Sequence, residues 1–179
     1  ESPTSSISVI SESGAATAKP IQAKLQPGVV SDLPLDQLSD GDYTIVVTSK
    51  APLIASVRVS TAGSSAVSAA TDFAWMTAAP LLSRPALVSV APNLTGVMHF
   101  ENPTSTAEKV TLAGTDGTTL AATVPADGAT SLAVVAGTTY KLGGYSRLYA
   151  SVSGVSDGGV TGYVVDASAS GQTPIRIYG

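Results

Sequence analysis

The sequence predicts an all-β chain made of two tandem immunoglobulin-like antiparallel β-sandwich domains, residues 1–91 and 92–179, related by an internal repeat. Three observations carry this prediction. Segments dominated by Val, Ile and Thr alternate with polar residues. Gly and Pro punctuate them at the spacing of about 8 to 12 residues typical of short strands. The order of segments in the first half of the chain then recurs in the second.

The individual elements follow in order. Residues 43–48 (Tyr-Thr-Ile-Val-Val-Thr) and 53–59 are β-branched and show the period of two that puts one face of a strand in a core. No stretch carries the 3.6-residue apolar period of a helix. The string Glu1-Ser2-Pro3-Thr4-Ser5-Ser6 is matched by Glu101-Asn102-Pro103-Thr104-Ser105-Thr106, and the correspondence runs on in order. Residues 7–11 pair with 109–113, 20–25 with 120–124, 27–28 with 125–128 and 29–35 with 129–135. Next come 41–44 with 137–140, 54–57 with 149–152, 73–75 with 162–164, and 86–90 with 174–178.

Each copy is thus expected to fold as about seven short strands. Asp116-Gly117 suits a type I′ hairpin, in which both central residues take positive φ, and Asp40-Gly41, Asp127-Gly128 and Asp157-Gly158 read as further turns. The junction at Ala91-Pro92-Asn93 is short and contains Pro, which predicts a stiff connection. Copy two opens with a strand candidate, Gly96-Val97-Met98-His99-Phe100, directly ahead of Glu101, whereas nothing stands ahead of Glu1. Copy one is therefore expected to lack its first strand, which would lie upstream in a longer chain and leave an edge to be covered. Glu in place of Met at position 1 carries the same expectation of removed upstream sequence, an anchor included.

Composition narrows the functional classes. Of 179 residues, 44% are hydrophobic and only 12% charged, about half the roughly 25% usual in soluble proteins, so polarity comes from Ser, Thr and Gly. A net charge of −4 with 9 Lys and Arg in total leaves no basic footprint for phosphates, and nucleic acid is not an expected partner. The absence of cysteine excludes disulfides, thiolate zinc sites and a thiol nucleophile. No apolar run approaches the roughly 18 residues of a membrane helix, so this stretch is expected not to insert in a membrane.

Serine catalysis needs a base and an orienting acid, and His99 is the sole histidine. Strand alternation puts it on the face opposite Met98 and Phe100, where it reads as a surface or edge histidine. There is no Gly-x-Ser-x-Gly elbow, His-Glu-x-x-His, Walker loop or Gly-x-Gly-x-x-Gly after a strand. Asp40, Asp42, Asp116, Asp127 and Asp157 all stand at Gly turns, which favours turn-capping over paired-carboxylate hydrolysis of glycosides. Ser156-Asp157-Gly158-Gly159 lacks the repeated Asp spacing of a calcium loop, and Asn93-Leu94-Thr95 fits a glycosylation acceptor. No catalytic residue, cofactor or metal ligand is assigned.

The aromatic residues divide into core anchors and one surface candidate. Phe73 and Trp75 share a strand face and are assigned to the core, which turns Asp72 the other way with Arg58 as its ion-pair partner. Tyr43 and Tyr140 recur after a Gly turn in both copies, so each ring belongs in a core with its hydroxyl tied to backbone. Tyr145 and Tyr149 flank Arg147 without aromatic counterparts in copy one. If extended, the stretch puts all three on one face, the best surface for a sugar ring or a partner protein.

The runs Leu33-Pro34-Leu35, Gly41-Asp42-Tyr43-Thr44-Ile45-Val46-Val47, Ala51-Pro52-Leu53-Ile54-Ala55-Ser56-Val57-Arg58 and Asp72-Phe73-Ala74-Trp75 together resemble a family of actinobacterial proteins of unknown function. Its members look like large secreted or cell-envelope proteins with an N-terminal membrane anchor. Copy two departs from that pattern, with Ser153 opposite Arg58 and Thr161-Gly162-Tyr163-Val164 opposite Asp72-Phe73-Ala74-Trp75. The resemblance implies an extracytoplasmic location and supplies no substrate, cofactor or catalytic residue. The expected function is that of a non-enzymatic envelope module, structural or partner-binding. An envelope protein or a cell-wall polysaccharide is the expected partner. The alternatives are a carbohydrate-binding module using Tyr145, Arg147 and Tyr149, and, last, a carbohydrate-active enzyme with paired carboxylates.

Overall fold

A computed structural model describes residues 4–14, 19–35, 37–61, 72–156 and 159–167; Asp157-Gly158 and residues 174–178 lie outside them. The described residues form thirteen strands and no helix. In the N-terminal half these are β1 (Thr4–Ser11), β2 (Ile21–Lys24), β3 (Tyr43–Ser49), β4 (Ser56–Thr61) and β5 (Asp72–Thr77). Then follow β6 (Ala86–Ser89), β7 (Thr95–Asn102), β8 (Glu108–Gly114), β9 (Thr119–Val124), β10 (Gly128–Val134), β11 (Thr139–Gly143), β12 (Tyr149–Ser156) and β13 (Gly159–Val164).

The C-terminal half is a sandwich of two antiparallel sheets, ordered β10-β7-β12-β13 and β6-β11-β8-β9. Period-two alternation builds its core. Met98 and Phe100 of β7 and Val152 of β12 meet Val110 and Leu112 of β8 and Tyr140 and Leu142 of β11, all at most 1% exposed. Burying a side chain of this size stabilises by about 1.5–3 kcal/mol. One polar group, Asn102, is wholly buried among them, and it is satisfied: its amide donates to the carbonyls of Thr106 and Pro125 at 2.8 and 2.9 Å, while its Oδ1 accepts from the Thr104 amide and hydroxyl. Gly154 is required by close approach, since a Cβ there would stand 2.6 Å from Leu94 Cγ and from the Thr95 carbonyl oxygen.

The N-terminal half comprises the sheet β2-β1-β3 and the hairpin β4-β5. These repeat the orders β9-β8-β11 and β12-β13 of the second half, as the internal repeat leads one to expect. Pairing refines the correspondence. Ser153 faces Gly162 across its ladder and Arg58 faces Trp75, so with Arg58 matched to Ser153, Trp75 matches Gly162, two positions from the residue set opposite it by sequence. A shift of two preserves the face.

Residues 86–90, which sequence similarity places at the end of the first repeat, behave differently. Strand β6 hydrogen-bonds along β11, and Ala86, Val88 and Val90 join the C-terminal core. Leu82 bridges to Leu148 through reciprocal backbone bonds of 2.7 and 3.0 Å and is fully buried in the same core. Alternate apolar residues on an edge strand need an apolar layer beneath them, and the C-terminal core supplies it.

Several local expectations are corrected. Phe73 and Trp75 are each 54% exposed, not in a core, because the opposite face of β5 carries Ala74 and Met76, and Met76 lies over Gly162 of β13. Arg58 shares the exposed face with Trp75 while Asp72 points the other way and accepts a 2.8 Å hydrogen bond from the Val160 amide, so the Asp72–Arg58 ion pair does not form. At Asp116-Gly117 only Gly117 takes positive φ, at 86°. The Gly114 amide bonds the Thr118 carbonyl and the Gly117 amide bonds the Gly114 carbonyl, a three-residue hairpin loop with left-handed glycine, in which Asp116 accepts from the Thr118 amide. The two tyrosines do tie their hydroxyls to backbone: Tyr43 donates to the Ser39 carbonyl at 3.0 Å and Tyr140 accepts from the Val135 amide at 3.0 Å.

Glu101, beside the core on β7, is pushed above its ordinary pKa of 4.5, first by burial and then by the Asp127 carboxylate. The native state therefore holds this proton more tightly than the unfolded chain. The contribution is intact below the ordinary carboxylate value and is lost as pH rises through the elevated native one. Glu101→Gln should gain up to ~0.5 kcal/mol over the wild type at about pH 7, a figure discounted for solvent screening, with the gap closing below about pH 4. Urea unfolding of both proteins at the two pH values measures it.

Candidate functional site

The densest polar constellation centres on His99. Alternation places it opposite Met98 and Phe100, as expected, but β7 is a central strand and the outer face of its sheet is not open at this point. Residues from the N-terminal half cover it. His99 Nδ1 lies 2.7 Å from Glu12 Oε2, and His99 Nε2 lies 2.6 Å from Ser153 Oγ on β12. The Glu12 side chain is fully buried and that of His99 is 14% exposed. Thr44 on β3 donates to Glu12 Oε1 at 2.6 Å, the Glu12 amide bonds the Asp42 carbonyl, and Ser131 on β10 donates to Asp42 Oδ2 at 3.3 Å. One polar network thus joins strand β3, the turn after β1 and the residue that leads into β3 to three strands of the C-terminal half.

An ionised carboxylate only accepts, so opposite an ionised Glu12 the Nδ1 atom is the one that carries hydrogen. With neutral imidazole, Nε2 accepts from the Ser153 hydroxyl; with imidazolium, Nε2 donates to the same oxygen, and every buried polar atom of the trio stays paired either way. The order Ser, His, Glu is also that of an acyl-transfer relay. Such a relay further needs free donors for an oxyanion and an open cleft beside the serine. Ser153 instead sits mid-strand, paired to Val97 on one side and Gly162 on the other, with its backbone engaged in two ladders. Among the described residues, no three His, Cys, Asp or Glu side chains converge as metal ligands, and no helix is long and apolar enough to cross a membrane.

Comparison with protein families bears on this site. The model of a family of unknown function, DUF5719, matches residues 4–142. The chain belongs to the DUF5719 family. No curated protein and no solved structure matches it. The DUF5719 match runs from β1 to β11 and so takes in both halves and the Glu12, Thr44, His99 and Ser131 parts of the network. It ends before Ser153 and before the aromatic cluster at Tyr145.

The members of that cluster, a surface candidate by sequence, each take a distinct place in the structure. Residues 144–147 form a bend between β11 and β12, not an extended strand. Tyr145 packs against the core and donates its hydroxyl to the Arg84 carbonyl at 2.6 Å, Arg147 is exposed, and Tyr149 begins β12 half-buried. Glu108 accepts from the Ser146 amide and hydroxyl, which holds its carboxyl below the ordinary range and anchors the same bend. The exposed aromatic pair of the N-terminal half is Phe73 with Trp75, beside Arg58.

Glu12 went unnoticed in the sequence because nothing local distinguishes it, and its partner lies 87 residues away. Glu12→Ala strands the His99 Nδ1–H and the Thr44 hydroxyl in a covered site and should cost about 2–3 kcal/mol. In a double-mutant cycle with His99→Ala, urea unfolding should show a coupling of about 1–3 kcal/mol; additive losses would mean that the two side chains do not hold the halves together.

Proposed function

We propose that the chain is a non-enzymatic extracytoplasmic module, with a structural or protein-interaction role at the cell envelope. The observation that carries this reading is the use of the Ser153–His99–Glu12 network. The one arrangement with relay order is closed over by Thr44 and the N-terminal half, and serves as a polar tie between halves. The low charge and the Ser- and Thr-rich strands support a scaffold, and the resemblance to actinobacterial envelope proteins supports a location outside the cytoplasm. A fluorophosphonate probe tests the reading directly. Ser153 should remain unlabelled at concentrations that label serine hydrolases within minutes; stoichiometric labelling of Ser153 that Glu12→Gln abolishes would make the protein an enzyme.

Binding of a carbohydrate is the second reading, favoured by a specific observation. Phe73 and Trp75 present half-exposed rings two residues apart on one face of β5, with Arg58 across the ladder from Trp75 and Ser56, Ser60 and Thr77 around them. Rings stack on the C–H faces of sugars while hydroxyl and guanidinium groups bond their oxygens. On this reading Phe73→Ala/Trp75→Ala should lose at least tenfold in affinity for a cell-wall polysaccharide, about 1.4 kcal/mol, whereas Tyr145→Ala should not. Isothermal titration against purified polysaccharide decides between the two surfaces.

A further inference from the structure

We propose that the N-terminal half takes up an added β-strand in the slot between β4 and residues 29–35, supplied by another copy of this repeat. The second half shows what fills that slot. There, β7 lies between β10 and β12, pairing with both along its length. The repeat matches residues 29–35 to 129–135, which contain most of β10, and β4 to β12. Among the described residues, no strand pairs with residues 29–35 or with the second edge of β4.

Three consequences of that gap are visible. Strand β4 pairs with β5 alone among the described residues, so no described strand meets the backbone donors and acceptors of its other edge. Residues 29–35 are irregular: Val29 is 58% exposed where its counterpart Ala129 is buried at 5%, and Pro34 is exposed where Val134 is buried at 8%. Val59 on β4 is 38% exposed, while Gly154, at the matching position of β12, is buried. A valine-bearing segment with no described strand beside it, a strand edge with no described partner and an exposed Val59 all point to one further neighbour.

The occupant is defined by what β7 carries. It is an extended segment with apolar side chains at alternate positions, like Gly96, Met98 and Phe100, which pairs antiparallel with β4 through backbone hydrogen bonds and turns its apolar face inward. Residues 29–35 then gain a partner and become a strand. This deepens the interaction reading given above and rests on it for its relevance, yet the two are tested by separate readouts, serine labelling there and strand protection here.

The experiment adds a synthetic peptide of the β7 sequence, residues 93–104, to the full chain and follows amide hydrogen exchange. Saturable binding should slow exchange at least about tenfold along β4 and residues 29–35, with β8 to β11 unchanged, and should perturb the fluorescence of Trp75 on the adjoining β5. A peptide with Met98→Asp and Phe100→Asp should do neither. No added protection, equal protection by the Asp peptide, or protection confined to the C-terminal half through exchange with its own β7 would each overturn the proposal.

Discussion

Strand β7 must satisfy two requirements with one alternation, and the remaining structure is arranged around that. Its even-numbered residues, Gly96 to Asn102, fill the C-terminal core, while the odd-numbered His99 meets the N-terminal half. A slip of one residue would put Met98 and Phe100 against Glu12 and bury His99 among Val110, Leu112 and Tyr140. Register is therefore pinned from both faces. Asn102 adds a third pin, since its amide fits only where the carbonyls of Thr106 and Pro125 converge.

The ties between the halves are polar as well as steric. Glu12 is fully buried, and a carboxylate removed from water without partners costs far more than any one contact returns. Here each of its oxygens has a donor, the His99 ring on one and the Thr44 hydroxyl on the other. Such a network is selective more than adhesive, because a sliding or rotated docking would leave Glu12, His99 and Ser153 unpaired together. Asp72, capping the Val160 amide, repeats the same logic at the β13 edge.

Much of the architecture was legible in the sequence because it rests on period and repetition. The β character, the order of matching segments, the outward direction of His99 and the tied tyrosine hydroxyls follow from alternation and recurrence, both local properties. What was hidden depends on tertiary partners. Nothing near Glu12 announces His99. Phe73 and Trp75 look like core anchors by size, and only the approach of Met76 to Gly162 shows that β5 turns its smaller face to β13. At Asp116-Gly117 the dipeptide marks a turn, but the added Thr115 lengthens the loop to three residues, so Asp116 is spared positive φ.

Divergence between the two copies follows from which faces are covered. At matched positions, Arg58 and Trp75 of the first hairpin become Ser153 and Gly162 in the second. The second pair lies under the N-terminal half, where Ser153 must leave room for the His99 ring and Gly162 for the end of Met76; a Trp at 162 would exclude β5 altogether. The first pair is exposed, and no described residue limits its size. Small residues at one site and large ones at the other are thus opposite answers to one steric question. A face of this fold that carries bulky rings in the open is a face not used for stacking the two halves. It is free to be used for something else, and Arg58 beside the Trp75 ring gives it both charge and aromatic surface to use.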